Sequence, residues 1–394
     1  MENKKKEIKV LYIIHGCQMG GATISFLNMI TELVKYDIKP IIVGPNTYKG
    51  NTGKEFFKRI EQLNIEYHGI FIPMQIWPIT LNWKQRILWP INILKLVIKI
   101  LIGTKQLEYT IKTTNPDIVH TNTGVVSIGN TVAKKYNIPH VWHLREYQDK
   151  DFNWKIFPSK KVFIKKLQTD NYVITITKDI LRYFHLDKNS NCKCIYNGIL
   201  STDDAKEPIS KEKYFACASQ IQENKGHEDV IRAFAEFYKT HKDYRLKILG
   251  FGDKHFIYKM KKLSLQLNCS EAIDWLGYKN NVKDDIRKAR ALIVASWFEG
   301  FGRMTAEACM LGCIPIGRNT AGTKEIIDYT GGLRFSTVGE LISRMNEVVE
   351  MQEREYNNIA KCIQQRAVNA FSIEQNAIEI YKLYYNIYKN PSFK

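Results

Sequence analysis

Short apolar runs recur along the chain, each followed by a loop and then by a segment with apolar residues at helical spacing. Ile8–Ile14 is the first run; the loop Gly16…Gly20-Gly21 and the amphipathic stretch Ala22–Leu33 follow it. Pro40–Val43, Asp117–His120, Pro139–His143, Asn171–Thr177 and Lys193–Tyr196 read as further strands, with Ser127–Tyr136 helical. A polar stretch, Leu200–Lys213, interrupts the pattern and reads as a linker. Beyond it strands return over Tyr214–Ala218, Leu246–Gly250, Ile273–Leu276, Ala291–Ala295 and Ile314–Ile316, with helices over Glu228–Tyr238 and Thr305–Leu311. Apolar runs of this kind suit strands buried on both faces, as in a parallel sheet between helices. The pattern predicts an α/β fold of two Rossmann-like, doubly wound parallel-sheet domains, residues 1–197 and 198–371. In the last segment, 372–394, Ile373–Tyr388 is helical and is expected to pack back towards the first domain.

Composition narrows the class. A chain of 394 residues is too long for one core. Its 44% hydrophobic and 25% charged residues exclude disordered and low-complexity chains. The 58 Lys+Arg against 40 Asp+Glu give +18, which favours anionic partners: nucleic acid, phosphate-bearing metabolites or an anionic membrane surface. The eight cysteines contain no C-x-x-C pair, so a structural metal is not expected. The basic start, Met1–Lys6, precedes an apolar run too short for a signal-peptide core. No stretch reaches the roughly 18–20 apolar residues of a spanning helix. The expectation is a cytoplasmic protein with reduced thiols.

In open α/β sheets ligands sit beyond the carboxyl ends of the strands, where helix N-termini point. Three loops of that type stand out. In Gly16-Cys17-Gln18-Met19-Gly20-Gly21-Ala22, the bare backbone of Gly20 and Gly21 can approach an anion or simply make a tight turn. In Ser219–His227, Lys225 followed by Gly226 can set an ammonium against a diphosphate. The most specific is Glu299-Gly300-Phe301-Gly302-Arg303-Met304-Thr305-Ala306-Glu307. Its glycines permit a tight turn into a helix, and its two carboxylates can serve a sugar ring and a ribose diol. An exposed helix start with two solvated acids is the bland alternative.

Glu299 and Glu307 form an E-x7-E motif within E-G-F-G-R-M-T-A-E-A-C-M, which resembles the donor-site signature of retaining GT-B glycosyltransferases, family 4 (the group 1 transferases). Gly20-Gly21-Ala22, Asp117–His120, Tyr196-Asn197-Gly198, Lys225-Gly226 and Gly322–Ile327 match further short motifs of that family in the same order. The resemblance implies an enzyme of the hexosyltransferase type that moves a sugar from a UDP- or GDP-linked donor to a hydroxyl acceptor. That acceptor is expected to be a lipid-linked or polymeric glycan in polysaccharide or glycolipid biosynthesis. It also implies catalytic roles for Glu299, Lys225 and His143. Gly20, Gly21, Gln220, Phe301, Gly302, Arg303, Glu307 and Asn197 are expected at the substrate. Family members usually carry Arg where this chain has Gln220, a hydrogen-bonding group without charge. Arg303 is expected to supply part of the missing positive charge. His143, in Trp142-His143-Leu144-Arg145-Glu146, resembles the family's H-x-R-E loop; a packed core histidine is the alternative. His120 is expected to shape or underlie the acceptor side. No cofactor and no metal are expected, and Asp149-Lys150-Asp151, the chain's D-x-D, reads as part of a polar loop.

Two segments remain. In Trp83–Lys105, apolar residues surround a narrow polar stripe of Asn92, Lys95 and Lys99; Trp154–Lys166 interleaves lysines with aromatic residues. Residues 83–105 and 154–166 are expected to meet an anionic membrane surface, placing the enzyme at the inner face, unless the first is an ordinary sheet-covering helix. A nucleotide-sugar epimerase or hydrolase of the same fold is the nearest alternative. A nucleic-acid-binding protein would explain the charge but not the glutamate loop, and no nucleic-acid partner is expected.

Overall fold

The apolar runs become the central strands of two sheets. In the computed structural model, which describes residues 7–46, 50–80, 83–169, 172–206 and 209–390, the chain divides into two units. One comprises Met1–Gly198 with Ile373–Lys394, the other Ile199–Ser372. Met1–Lys6 and Asn171, which entered the sequence reading, lie outside the described residues.

The strands of the first unit are β1 (Ile8–Ile13), β2 (Ile38–Pro45), β3 (Glu66–Ile70), β4 (Ile76–Pro78), β5 (Ile118–Thr121), β6 (His140–Leu144), β7 (Trp154–Ile156), β8 (Tyr172–Thr175) and β9 (Cys192–Cys194). Seven form a parallel sheet in the order β3-β2-β1-β5-β6-β8-β9, while β4 and β7 pair antiparallel as a separate ribbon. At the sheet's centre Tyr12 lies between Ile42 and His120. The second unit contains β10 (Glu212–Ala218), β11 (Arg245–Leu249), β12 (Ile273–Gly277), β13 (Ala289–Val294), β14 (Pro315–Arg318) and β15 (Leu333–Phe335). They form a parallel sheet in the order β12-β11-β10-β13-β14-β15. Both units are Rossmann-like. Strand order reverses between β1 and β5 in one and between β10 and β13 in the other, the switch points at which such sheets bind ligands.

Buried strands explain the pattern: every residue of β13 is buried, and so are five of the six in β1. Helices Gly21–Leu33 and Ile373–Lys389 share one apolar core with β1, joining Phe26, Leu27 and Ile30 to Ala377, Ile380 and Tyr384. On the other face Leu107 and Ile111, from the end of helix Trp89–Thr114, pack with Ile128 and Val132.

The stretch Leu200–Lys213 is not a free linker. Asp204 pairs with Lys283 at 2.7 Å, Gln364 Nε2 donates to Lys206 O at 2.8 Å, and β10 begins at Glu212. Its polar residues answer partners far away in sequence, which local composition does not reveal.

Ile380→Ala removes a fully buried side chain from the first unit's core. It should cost about 2–5 kcal/mol, read as a lower urea midpoint for the transition in which that unit unfolds.

Candidate active site

Loops leave the carboxyl ends of the neighbouring strands β10, β13 and β14 in the second unit. They run into the helices His227–Tyr238, Arg303–Met310 and Ala321–Thr330 respectively. Two backbone amides and one side-chain hydroxyl tie them together: Trp297 N donates to Asn224 O at 2.9 Å, Thr320 Oγ1 to Trp297 O at 3.0 Å, and Gly322 N to Glu299 O at 3.0 Å. Two glycines permit this approach. Gly226 has φ +70°, and a Cβ there would lie 2.2 Å from Ala295 O; Gly302 has φ +89°, and its Cβ would stand 3.1 Å from Thr323 N. Within this frame Lys225 Nζ donates to Glu299 Oε1 at 2.5 Å, with the two side chains only 20% and 25% exposed.

No side chain caps any of the three helices. Their first-turn amides and the positive ends of their dipoles therefore face the same loops, although Gly322 N is already taken by Glu299 O and Glu228 and Asp229 stand in the first turn of helix His227–Tyr238. The helix after β11, Lys254–Gln266, differs: Asp253 Oδ1 accepts from Phe256 N at 2.9 Å and closes it. The buried hydroxyls of Thr305 and Thr323 have no hydrogen-bond partner among the described residues. Amides, an ammonium and a carboxylate on one set of loops can hold an oxyanion beside a hydroxyl-bearing group.

The first unit gathers a different set beyond β1, β5 and β6. Gly20 and Gly21 are exposed at the start of helix Gly21–Leu33, which no side chain caps. Beneath lies a buried polar chain: Tyr384 Oη and His120 Nδ1 are 2.6 Å apart, and His120 Nε2 and His143 Nδ1 3.3 Å apart. His143 Nε2, the far end of this chain, has no partner among the described residues. Burial, then the nearby Arg145, then the neighbouring His120 hold the His143 imidazole well below its usual range, so it is neutral at neutral pH. Arg145 donates through Nε to Asn122 Oδ1 at 2.9 Å and through Nη1 to Asn197 Oδ1 at 2.7 Å. Burial lowers its pKa to about 10, which leaves it cationic. Burial, reinforced by Asp151, pushes the adjacent Glu146 carboxyl up to about 7, although Arg145 opposes the shift.

Comparison with known proteins gives this arrangement a class. Residues 201–365 match the protein-family model for Glycosyl transferases group 1. They form a group 1 glycosyl transferase domain. A Campylobacter jejuni relative, N-acetylgalactosamine-N,N'-diacetylbacillosaminyl-diphospho-undecaprenol 4-alpha-N-acetylgalactosaminyltransferase, is 29% identical over 142 residues; the match spans 34% of this chain and 37% of that protein. An uncharacterized 42.6 kDa protein in the cps region of Klebsiella pneumoniae is 22% identical over 93% of this chain and 96% of its own length. The crystal structure of Anabaena HepE in complex with UDP superposes with a TM-score of 0.76 at 16% identity, covering 96% of this chain and 100% of that one. The two-sheet fold is that of GT-B glycosyltransferases, and the group 1 match supports a transferase enzyme.

In the glycosyl transferase domain the expected residues divide. Lys225, Glu299 and Gly302 meet on the tied loops, and Gln220 is exposed at the end of β10. Phe301 is 6% exposed, and its ring packs edge-on against Phe371, 5.8 Å away. The Arg303 guanidinium is directed inward, where Nη2 donates to Ile199 O at 3.3 Å. Glu307, one turn on, is buried, and burial raises its pKa against the pull of Arg303.

In the first unit Asn197 presents its carbonyl oxygen to Arg145. Asp149 and Asp151 lie in a one-turn helix, Asp149–Phe152, not in an irregular loop. Asp149 accepts from Tyr183, and Asp151 from the amides of Tyr147 and Gln148. Sequence reasoning missed Tyr384 and gave Glu146 no role. Tyr384 carries no motif; Glu146 is visible only as the last letter of H-x-R-E.

Because the native Glu146 carboxyl holds its proton up to about pH 7 while the usual value is 4.5, the folded state binds the extra proton between those limits. Stability should therefore fall as pH rises through that window. Glu146→Gln should flatten the fall by roughly 1–3 kcal/mol, measured as urea midpoints from pH 4.5 to 8.

Proposed function

We propose that the chain is a retaining family 4 glycosyltransferase that moves a sugar from a UDP-sugar to a hydroxyl of a lipid-linked or polymeric glycan, without a metal. The observation that carries this reading is the Lys225–Glu299 pair set among three helix starts that no side chain caps, at a sheet switch point. The Anabaena neighbour binds UDP, the Campylobacter relative is named for a diphospho-undecaprenol substrate, and the Klebsiella relative comes from a cps region; these favour the donor and acceptor classes.

In the proposed reaction the bond between the anomeric carbon and the diphosphate oxygen breaks, and its electron pair stays on the diphosphate. The acceptor oxygen bonds to the same face of that carbon, and its proton passes to the departing oxygen. Negative charge grows on the leaving group, where Lys225 and the amides at Gly302 and Arg303 meet it. Glu299 orients the sugar through its hydroxyls, and Glu307 accepts from the ribose. His143 offers Nε2 to a substrate hydroxyl, with its ring held by His120 and Tyr384.

UDP should raise the melting temperature, whereas oligonucleotides should not. Lys225→Ala and Glu299→Ala should each lower turnover by about 100-fold or more without unfolding the protein, and His143→Ala should cost less. Wild-type rates in both second-unit variants reject the site. Stabilisation by GDP alone changes the donor class, and turnover without any acceptor points to a hydrolase or epimerase.

A further inference from the structure

Helix Trp89–Thr114 has two apolar faces, and the first unit covers only one. Ile93, Leu96 and Ile100 form the partly covered seam, which continues into the buried Gly103 and Leu107. On the other side Ile91, Leu94, Ile98 and Leu101 follow one another at helical spacing, with Val97 and Ile102 beside them. All six are exposed, Leu94 by 60% and Leu101 by 58%. The preceding short helix, Trp83–Ile87, adds Trp83 and Ile87 at 67% and 68%. Soluble surfaces seldom leave so continuous an apolar stripe uncovered.

The charge around it has one sign. No Asp or Glu occurs between Glu66 and Glu108, a stretch containing Lys84, Arg86, Lys95, Lys99 and Lys105. The fold also brings in the second basic segment. In the antiparallel ribbon Trp77 of β4 lies opposite Lys155 of β7, and its ring packs 4.3 Å from Trp89 and 5.1 Å from Phe157. From Asn153 to Thr169 there is again no acid, while Lys155, Lys160, Lys161, Lys165 and Lys166 are present. Between ribbon and helix a mostly apolar crevice of about 180 Å³ is lined by Ile76, Trp77, Pro78, Trp89, Ile93 and Leu96, with Asn92 as its polar member.

We infer that the stripe Ile91–Ile102, with the ribbon at its head, docks on an anionic phospholipid bilayer. The helix lies in the interface: apolar side chains enter the acyl boundary, and Lys95, Lys99 and Lys155 stay at the headgroups. Trp83 and Trp89 suit the headgroup level. Among the described residues no helix is long and apolar enough to cross a membrane, so the contact is on the surface. A second copy of the chain fits less well. Two-fold pairing would set this patch against itself, lysine facing lysine with no acid in the segment to answer. The inference goes beyond the sugar-transfer reading, and its test uses no sugar nucleotide, so either can fail alone.

Flotation with vesicles of phosphatidylcholine plus phosphatidylglycerol should carry the protein at low salt and less at high salt; pure phosphatidylcholine should carry little. Leu94→Ser with Ile98→Ser and Leu101→Ser should lower partition at least about tenfold with the melting temperature unchanged, because these side chains are exposed. Lys95→Glu with Lys99→Glu should weaken binding to the anionic vesicles severalfold. The inference is overturned if wild-type protein does not float with the anionic vesicles, or if the serine variant floats equally well. It is equally overturned if light scattering shows that the serine changes convert a dimer to a monomer, which would make the face a subunit interface.

Discussion

The ion pair of Lys225 and Glu299 governs how the second unit's loops can be arranged. Taking an ammonium and a carboxylate partly out of water is costly unless each answers the other, and their side chains are only a fifth to a quarter exposed. Holding them 2.5 Å apart across 74 residues of sequence needs rigid ground on both sides. The positive φ of Gly226 lets one loop reach Ala295, and Gly322 N bonded to Glu299 O pins the other. The pair thus links packing to chemistry: the bonds that fix the loops also fix the two groups most suited to a phosphate and a hydroxyl. Neither group is locked away, since each keeps some contact with solvent.

The first unit solves a different electrostatic problem. Arg145 is buried, and the two side chains it donates to, Asn122 and Asn197, are neutral amides. Charge left in such surroundings acts on everything nearby. It helps hold His15, His120 and His143 neutral and pulls against the burial that raises Glu146. A neutral His143 can donate or accept at Nε2 according to tautomer, whereas a protonated one could only donate. Tyr384 then matters beyond packing, because it engages His120 at the base of the chain.

Legibility in the sequence followed burial. β1 and β13 were visible because a strand covered on both faces is apolar along most of its length, Lys9 and Arg290 being the exceptions, whereas β3, Glu-Tyr-His-Gly-Ile with one buried residue, leaves no such trace. The second-unit loops were visible through their glycines and the spacing of Glu299 and Glu307. What lay hidden was direction. Phe301 sits between two glycines in a motif that draws the eye, yet its ring belongs to the core beside Phe371. Arg303 likewise carries its charge towards Ile199. Tyr384 and His120 are 264 residues apart, and no periodicity connects them.

Direction also decides where positive charge at the second-unit loops comes from. Gln220 is neutral, Arg303 is turned inward, and Arg318 is held by Asp229 and the carbonyl of Ala295. Lys225 is cationic but faces Glu299, so these side chains together carry little net charge. A diphosphate would then be drawn chiefly by the backbone: the helix starts at His227 and Arg303, each worth about half an elementary charge, amount to roughly one, less what Glu228 and Asp229 offset at the first of them, while Gly322 N of the third is taken by Glu299 O. Those dipoles are fixed before any ligand arrives and need no reorganisation as charge develops. On the proposed diphosphate site, the arginine absent at position 220 would thus be a smaller loss than its formal charge suggests, because much of the attraction would come from the loops' own peptide groups.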